Sequence, residues 1–270
     1  MPLFVLALFT HYTNFLFRGA RWRVLLINIQ GSSEKRRPNV LYCSSLVLLG
    51  WFTNSILWFR LGDAYRAYAY VEDTKESFPG TMGTVLAERT LDMFLVAVLL
   101  SLAGIVLLIT GVNMSWVVVV MALCLSGLLA FLLFAMWIFR SHISRMIPGG
   151  FAPTYTRFHE GTFGSFRRVP VVSLLGILGW LSEIGRLYFV TQALGVELGI
   201  PLVIFAALAN SMLTLIPLTP GGLGVVEGGL IGLLLLSSGI NTEAMAFAVV
   251  TLDRSISWAS IIVVGTTIFI

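Results

Sequence analysis

Between Asn210 and Glu227 the sequence NSMLTLIPLTPGGLGVVE lies in a strongly apolar region, yet it carries Pro217, Pro220, Gly221, Gly222 and Gly224 and ends on a carboxylate. Proline removes a backbone donor and clashes with the preceding turn, so a continuous helix is disfavoured here. Irregular backbone at membrane depth survives only where protein buries it or where it lines a watery cavity. The stretch predicts a broken or re-entrant hairpin, one short helix ending near Leu215 and another starting near Gly224.

That argument needs a membrane, and composition supplies one. Soluble domains are about one quarter charged. This 270-residue chain is 57% hydrophobic and 11% charged, too few charges to cover a globule. Apolar spans of near the ~20 residues a bilayer requires are predicted over 3–27, 40–59, 81–110, 115–139, 171–194 and 242–270. The expected fold class is an all-α polytopic membrane helix bundle. The amino terminus, MPLFVLALFT, has neither a basic leader nor a small-residue cleavage site and does not read as a signal peptide. The excess of Lys+Arg over Asp+Glu, 17 against 13, is too small to point to nucleic acid. Cys43 and Cys124 stand alone in apolar runs and read as core residues.

The placement of basic residues predicts topology, because basic loops stay cytoplasmic. Clusters at 18–37 and 140–168 belong inside, which leaves the turn at 111–114 outside. Residues 38–80 then leave the cytoplasm and return to it, whereas residues 196–241 begin and end outside. The two broken segments enter from opposite faces. Asn54-Ser55-Ile56-Leu57 precedes the first break and Asn210-Ser211-Met212-Leu213 the second, with an arginine helix upstream of each (Arg21, Arg186). The pattern reads as an inverted repeat, about 1–139 and 170–270 around a basic cytoplasmic linker 140–169, an arrangement characteristic of transporters. An irregular bundle with accidental short matches is the alternative.

Ionisable residues inside the apolar segments are the candidate site: Arg60, Asp63, Arg66, Glu88, Arg89, Asp92, Glu183, Arg186, Glu227, Asp253 and Arg254. Each costs roughly 2.5–3.5 kcal/mol at a helix centre on insertion scales, so they are expected to face one another or water. Glu88 and Asp92, and Glu183 and Arg186, have spacings that share a helix face. Either these groups pair to fix helix register or they line a cavity. For Arg60, Asp63, Arg66 and Glu227, at backbone breaks, cavity lining is favoured. A helix starting near Gly224 would offer free N–H groups, and Gly221 and Gly222 would let a phosphate-sized group approach. Glu227 would either satisfy that helix end or hold a headgroup amine. Gly224, Gly228 and Gly232, four apart, read as a flat face for close helix contact. His11, His142 and His159 have no metal-ligand spacing, and the last two are expected at headgroup level. Arg140 to Arg168, with interleaved Phe and Tyr, reads as an anchor to anionic lipid.

In these stretches the chain resembles the lysylphosphatidylglycerol synthase transmembrane region, or flippase-like membrane family. That family includes the flippase half of the multiple peptide resistance factor and archaeal relatives linked to protein glycosylation. The matching elements are RGARWRVLL at 18–26, RLGDAYR at 60–66, AERTLD at 87–92, PLTPGGLGVVEGGL at 217–230 and LDRSISW at 252–258. The resemblance implies movement of a lipid headgroup across the cell membrane by a multi-pass protein. The cargo would be aminoacylated phosphatidylglycerol or a polyprenyl-phosphate-linked sugar. Carried over by position, Arg60, Asp63, Arg66, Glu88, Arg89, Gly221, Gly222, Glu227 and Arg254 would line the path. No cofactor or metal is implied. Membrane lipids with anionic or amine-bearing heads are the implied partners, with a cytosolic synthase or glycosyltransferase as a further one. Nothing here resembles a nucleotide loop, a metal site or a Ser/His/Asp arrangement. Transport is therefore favoured over its alternatives, a lipid-modifying transferase using Asp63 with Glu88 or a noncatalytic membrane subunit recruiting a synthase through 140–170.

Overall fold

In the computed structural model, which describes residues 2–30, 37–111, 116–138, 150–214, 219–235 and 242–269, every regular element is helical. Helix α1 spans Pro2–Gln30 and α2 Val40–Ile56; a single turn, Trp58–Arg60, then leads into α3, Gly62–Thr74. Long helices α4, Phe78–Ile109, and α5, Trp116–Ile138, follow. Ala152–Gly164 forms α6, and a turn at Ser165–Arg168 opens α7, Val169–Ala193. Helix α8, Ile200–Leu213, and α9, Val225–Leu235, flank a turn at Pro220–Gly222. The chain closes with α10, Glu243–Arg254, a π-helical turn Ser255–Ala259 and α11, Ser260–Phe269. The protein is a membrane helix bundle. Phe78–Ile109, Ala152–Ala193 and Glu243–Phe269 are long and apolar enough to cross a bilayer, while α2, α8 and α9 are apolar but short.

Helix starts follow local chemistry. Ser77 accepts a hydrogen bond from the Gly80 N–H at 3.4 Å, with Pro79 in the first turn of α4; Thr242 caps α10 through the Met245 N–H. Proline also opens α7 and α8, where its missing donor costs nothing.

The centre of the bundle is the crossing of α1 with α7. Asn14 donates to Glu183 at 2.6 Å, Arg18 packs near Gly179, Arg21 lies over Gly176 and Asn28 donates to the Ser165 carbonyl. Numbers rise along one helix as they fall along the other, so the pair is antiparallel. The glycines on α7 leave room for the long arginines of α1. One apolar core gathers α4, α7, α8, α9 and α10 around Phe205, Leu208 and Leu230; the other gathers α1 and α2 around Trp22, Leu25 and Leu26.

Several expectations are corrected here. The first break is narrower than 60–66: the chain leaves helix at Leu57, Phe59 takes a left-handed φ of 64°, and α3 resumes at Gly62. The described part of the basic linker holds α6, packed against α4, and His159 is buried there against Phe163 rather than at the surface. His142 lies outside the described residues. Cys43 is buried, but Cys124 is exposed on α5. No described atom lies within 4 Å of where a side chain would start at Gly224, Gly228 or Gly232; it is Gly229 that packs closely, against Leu213.

Candidate functional site

The two irregular turns touch. Trp58–Arg60 and Pro220–Gly222 are in contact, and the second also rests on α2 beside Ser55. Between them and the α1–α7 crossing lies a cavity of about 130 Å³. Its wall takes Arg18 from α1, Trp51, Asn54 and Ser55 from α2, and Phe59 from the first turn. Arg89 and Asp92 come from α4, and Trp180, Glu183 and Arg186 from α7. Asn210 and Ser211, Gly221 and Gly222, Arg254, and Ser257 with Trp258 close it from the second half of the chain.

Each turn is held by a side chain that replaces a lost backbone bond. Asn54 Oδ1 accepts from the Gly62 N–H at 2.8 Å, and Gly62 approaches Gly50 so closely that a methyl group there would overlap the Gly50 carbonyl. At the second turn, Gly221 and Gly222 have φ of 61° and 73°, a region that side chains resist. Glu227 accepts from the Gly224 N–H through Oε2 and from Arg254 Nε through Oε1, both at 2.5 Å. Arg254 also donates to the Gly221 carbonyl at 2.8 Å. The helix-end role expected as one option for Glu227 is the one it fills. The space above Gly221 is taken by the Trp258 indole and that above Gly222 by Val226.

Among the described residues, six arginines (Arg18, Arg21, Arg66, Arg89, Arg186, Arg254) and six carboxylates (Asp63, Glu88, Asp92, Glu183, Glu227, Asp253) form ion pairs in this region. They fall into three groups. In the first, Arg21 grips both oxygens of Asp92 at 2.6 and 2.8 Å and reaches Glu88 at 2.6 Å; Arg66 donates to the other Glu88 oxygen, and Arg89 forks onto Asp63. In the second, Arg186 is shared by Glu183 and Asp253, at 2.9 and 2.6 Å. The third is Arg254 with Glu227. Asn14 joins the first two, accepting from Arg18 Nε at 2.9 Å and donating to Glu183. A carboxylate held by a forked guanidinium offsets the large desolvation cost of burying either group alone.

Of the residues expected from sequence, Arg89, Asp92, Glu183, Arg186, Gly221, Gly222 and Arg254 line the cavity. Asp63, Arg66, Glu88, Glu227 and Asp253 stand behind that wall and hold its charges in place. The Arg60 side chain lies outside what is described. Sequence reading missed Arg18, Trp51, Asn54, Trp180, Asn210 and Trp258. The signal for Arg18 was available in its spacing: Asn14, Arg18 and Arg21 recur on one helical face of an otherwise apolar helix.

Fold and site together define a membrane-embedded helix bundle closed around an ion-paired polar cavity where two interrupted segments meet. The chain belongs to the family described as the lysylphosphatidylglycerol synthase TM region, whose model matches residues 1–265. It is similar to a UPF0104 membrane protein of Methanocaldococcus jannaschii, 33% identical over 81% of this chain and 93% of the relative. A UPF0104 membrane protein of Pyrococcus horikoshii is 23% identical over 94% of this chain and 82% of the relative. No solved structure matches.

Proposed function

We propose that the protein is a flippase-like transporter that moves a lipid headgroup across the membrane through the polar cavity while the acyl chains stay in lipid. The observation that carries this is the meeting of the two interrupted segments at one cavity lined by ionised residues from both halves of the chain. Ionisable groups at membrane depth are expensive and are kept where they serve a polar path. Broken segments converging on such a path are the device of secondary transporters.

A recurrent ion pair supports the inverted repeat. Arg21 on α1 binds Asp92 on α4, and Arg186 on α7 binds Asp253 on α10, so the same pair joins the helix upstream of each break to the helix downstream. In this reading the chain crosses the cell membrane several times, and the halves 1–139 and 170–270 rock about the α1–α7 crossing to open the cavity to one leaflet and then the other. The cargo is an aminoacylated phosphatidylglycerol or a polyprenyl-phosphate-linked sugar, supplied by a cytosolic synthase or glycosyltransferase.

The test is reconstitution of purified protein into vesicles with fluorescently labelled aminoacylated phosphatidylglycerol, phosphatidylglycerol or a polyprenyl-phosphate sugar in one leaflet. At least one should cross faster than in protein-free vesicles and slow when Arg89 is replaced by Gln. Rates equal to empty vesicles for every lipid would end the transport reading.

A further inference from the structure

Among the described arginines of the ion-pair network, Arg18 is the one whose terminal nitrogens make no hydrogen bond. In the described part of its group, Arg21 is gripped by Asp92, Arg66 by Glu88 and Arg89 by Asp63, and Arg18 shares Asp92 only at a distance. Arg18 donates one hydrogen bond, from Nε to Asn14, and its terminal Nη1 lies 3.6 Å from the nearest carboxylate oxygen, beyond hydrogen-bond distance. Its side chain is only 6% exposed, on the cavity wall, with the guanidinium 5.2 and 5.1 Å from the ring centroids of Trp51 and Trp180. The two indoles fix the plane of the fork without using its terminal donors. Trp258 lines the same cavity beside Gly221, and its indole N–H is buried and without a partner.

The carboxylates facing the same space are in the opposite condition. Asp92 is saturated by Arg21 and by the Trp180 N–H, and Glu183 by Asn14 and Arg186. Asp253 keeps one oxygen without a partner, but that residue is fully buried and does not line the cavity. Among the described residues, the wall therefore has strong donors to spare and no free carboxylate for an amine.

We propose that the cavity is an anion site that takes a phosphate group, as a phosphodiester or phosphomonoester headgroup, on the terminal nitrogens of Arg18 with the Trp258 N–H as second donor. This rests on the transport reading for its lipid context and narrows it: the phosphate, shared by every candidate cargo, is the recognised group, and no amine is required. A planar guanidinium with free forked donors matches phosphate geometry. Buried donors left without a hydrogen-bond acceptor also give such an anion a reason to leave water.

Equilibrium binding, read without any transport, tests this. Three tryptophans line the cavity, so intrinsic fluorescence of the detergent-solubilised protein reports occupancy. Dioctanoyl phosphatidylglycerol should quench saturably while dioctanoyl glycerol does not. Competition by inorganic phosphate would assign the site to the free anion as well; binding without such competition would assign it to the lipid-borne phosphate alone. Arg18→Gln should weaken binding about tenfold or more, and Arg18→Lys should recover part of it. Trp258→Phe, which keeps the ring and loses the donor, should weaken it several-fold, and it decides the matter if Arg18→Gln does not fold. Equal binding of dioctanoyl glycerol, no binding of either lipid, or unchanged affinity in the folded variants would overturn the proposal. Lipid movement that persists with unaltered affinity in Arg18→Gln would remove the anion site and leave transport standing. Phosphate-dependent binding without movement would do the reverse.

Discussion

Arg254 Nε donates to Glu227 Oε1 at 2.5 Å, and the same guanidinium reaches the Gly221 carbonyl at 2.8 Å, so one side chain of α10 spans the turn before α9. The irregular backbone at 219–224 is thereby tied to the helix that closes the bundle. Because these side chains are 11% and 27% exposed, water screens part of the attraction. A double-mutant cycle with Arg254→Ala and Glu227→Ala should give a coupling of about 1 kcal/mol in detergent unfolding. Strict additivity would mean that the turn holds without the pair.

Asp92 should be far more costly to neutralise than Asp63. Asp92 and Arg21 each have 1% side-chain exposure, so Asp92→Asn takes one of two carboxylates from a buried guanidinium and leaves it Glu88 alone, at roughly 3 kcal/mol. Asp63→Asn breaks a pair whose members are 23% and 24% exposed and should cost much less, about 1 kcal/mol. Thermal unfolding of the two variants should rank them in that order; the reverse order would mean that burial does not set the cost of losing a carboxylate.

Two glycines should respond oppositely to alanine. Gly62→Ala drives a methyl group into the Gly50 backbone carbonyl, which cannot move without shifting α2, so loss of folded protein is expected. Gly228→Ala meets nothing within 4 Å, sits inside α9 and should stabilise by about 0.5–1 kcal/mol. Size-exclusion profiles and melting temperatures separate the outcomes.

If the cavity is the path for a headgroup, filling it should stop movement without unfolding the protein. Ser211 is half-buried on the cavity wall, and Ser211→Trp should cut transbilayer lipid movement at least several-fold while the melting temperature stays within a few degrees. A filled cavity with full transport would send the cargo by another route.

The positions of the long apolar helices were legible because their cause is local, whereas those of the polar helices α3 and α6 were not. Apolar runs, caps such as Ser77 and Thr242, and opening prolines mark the helix ends within a few residues. The irregular backbone at 219–224 was legible for the same reason, since proline and glycine act on their own backbone. The candidate site was legible as a set of residue types, because charge in an apolar run has few explanations. Which charge meets which was not. Arg21 and Asp92 are 71 residues apart, and Arg186 and Asp253 67 apart. Arg18 belongs to the basic cluster 18–37, which reads as a topology signal, and only the packing of α1 against α2 and α7 buries it between two indoles.

By itself, then, the sequence determined that this chain is a membrane helix bundle and that its charges must be hidden from lipid, since each follows from solvation within one turn or one span. Only the tertiary structure decided that Glu227 is consumed in capping and pairing, that the space above Gly221 is filled by Trp258, and that Arg18 keeps donors in hand. Hydrogen-bond donors and acceptors are a limited supply. Which of them remains free for a ligand depends on partners that only packing brings within 3 Å.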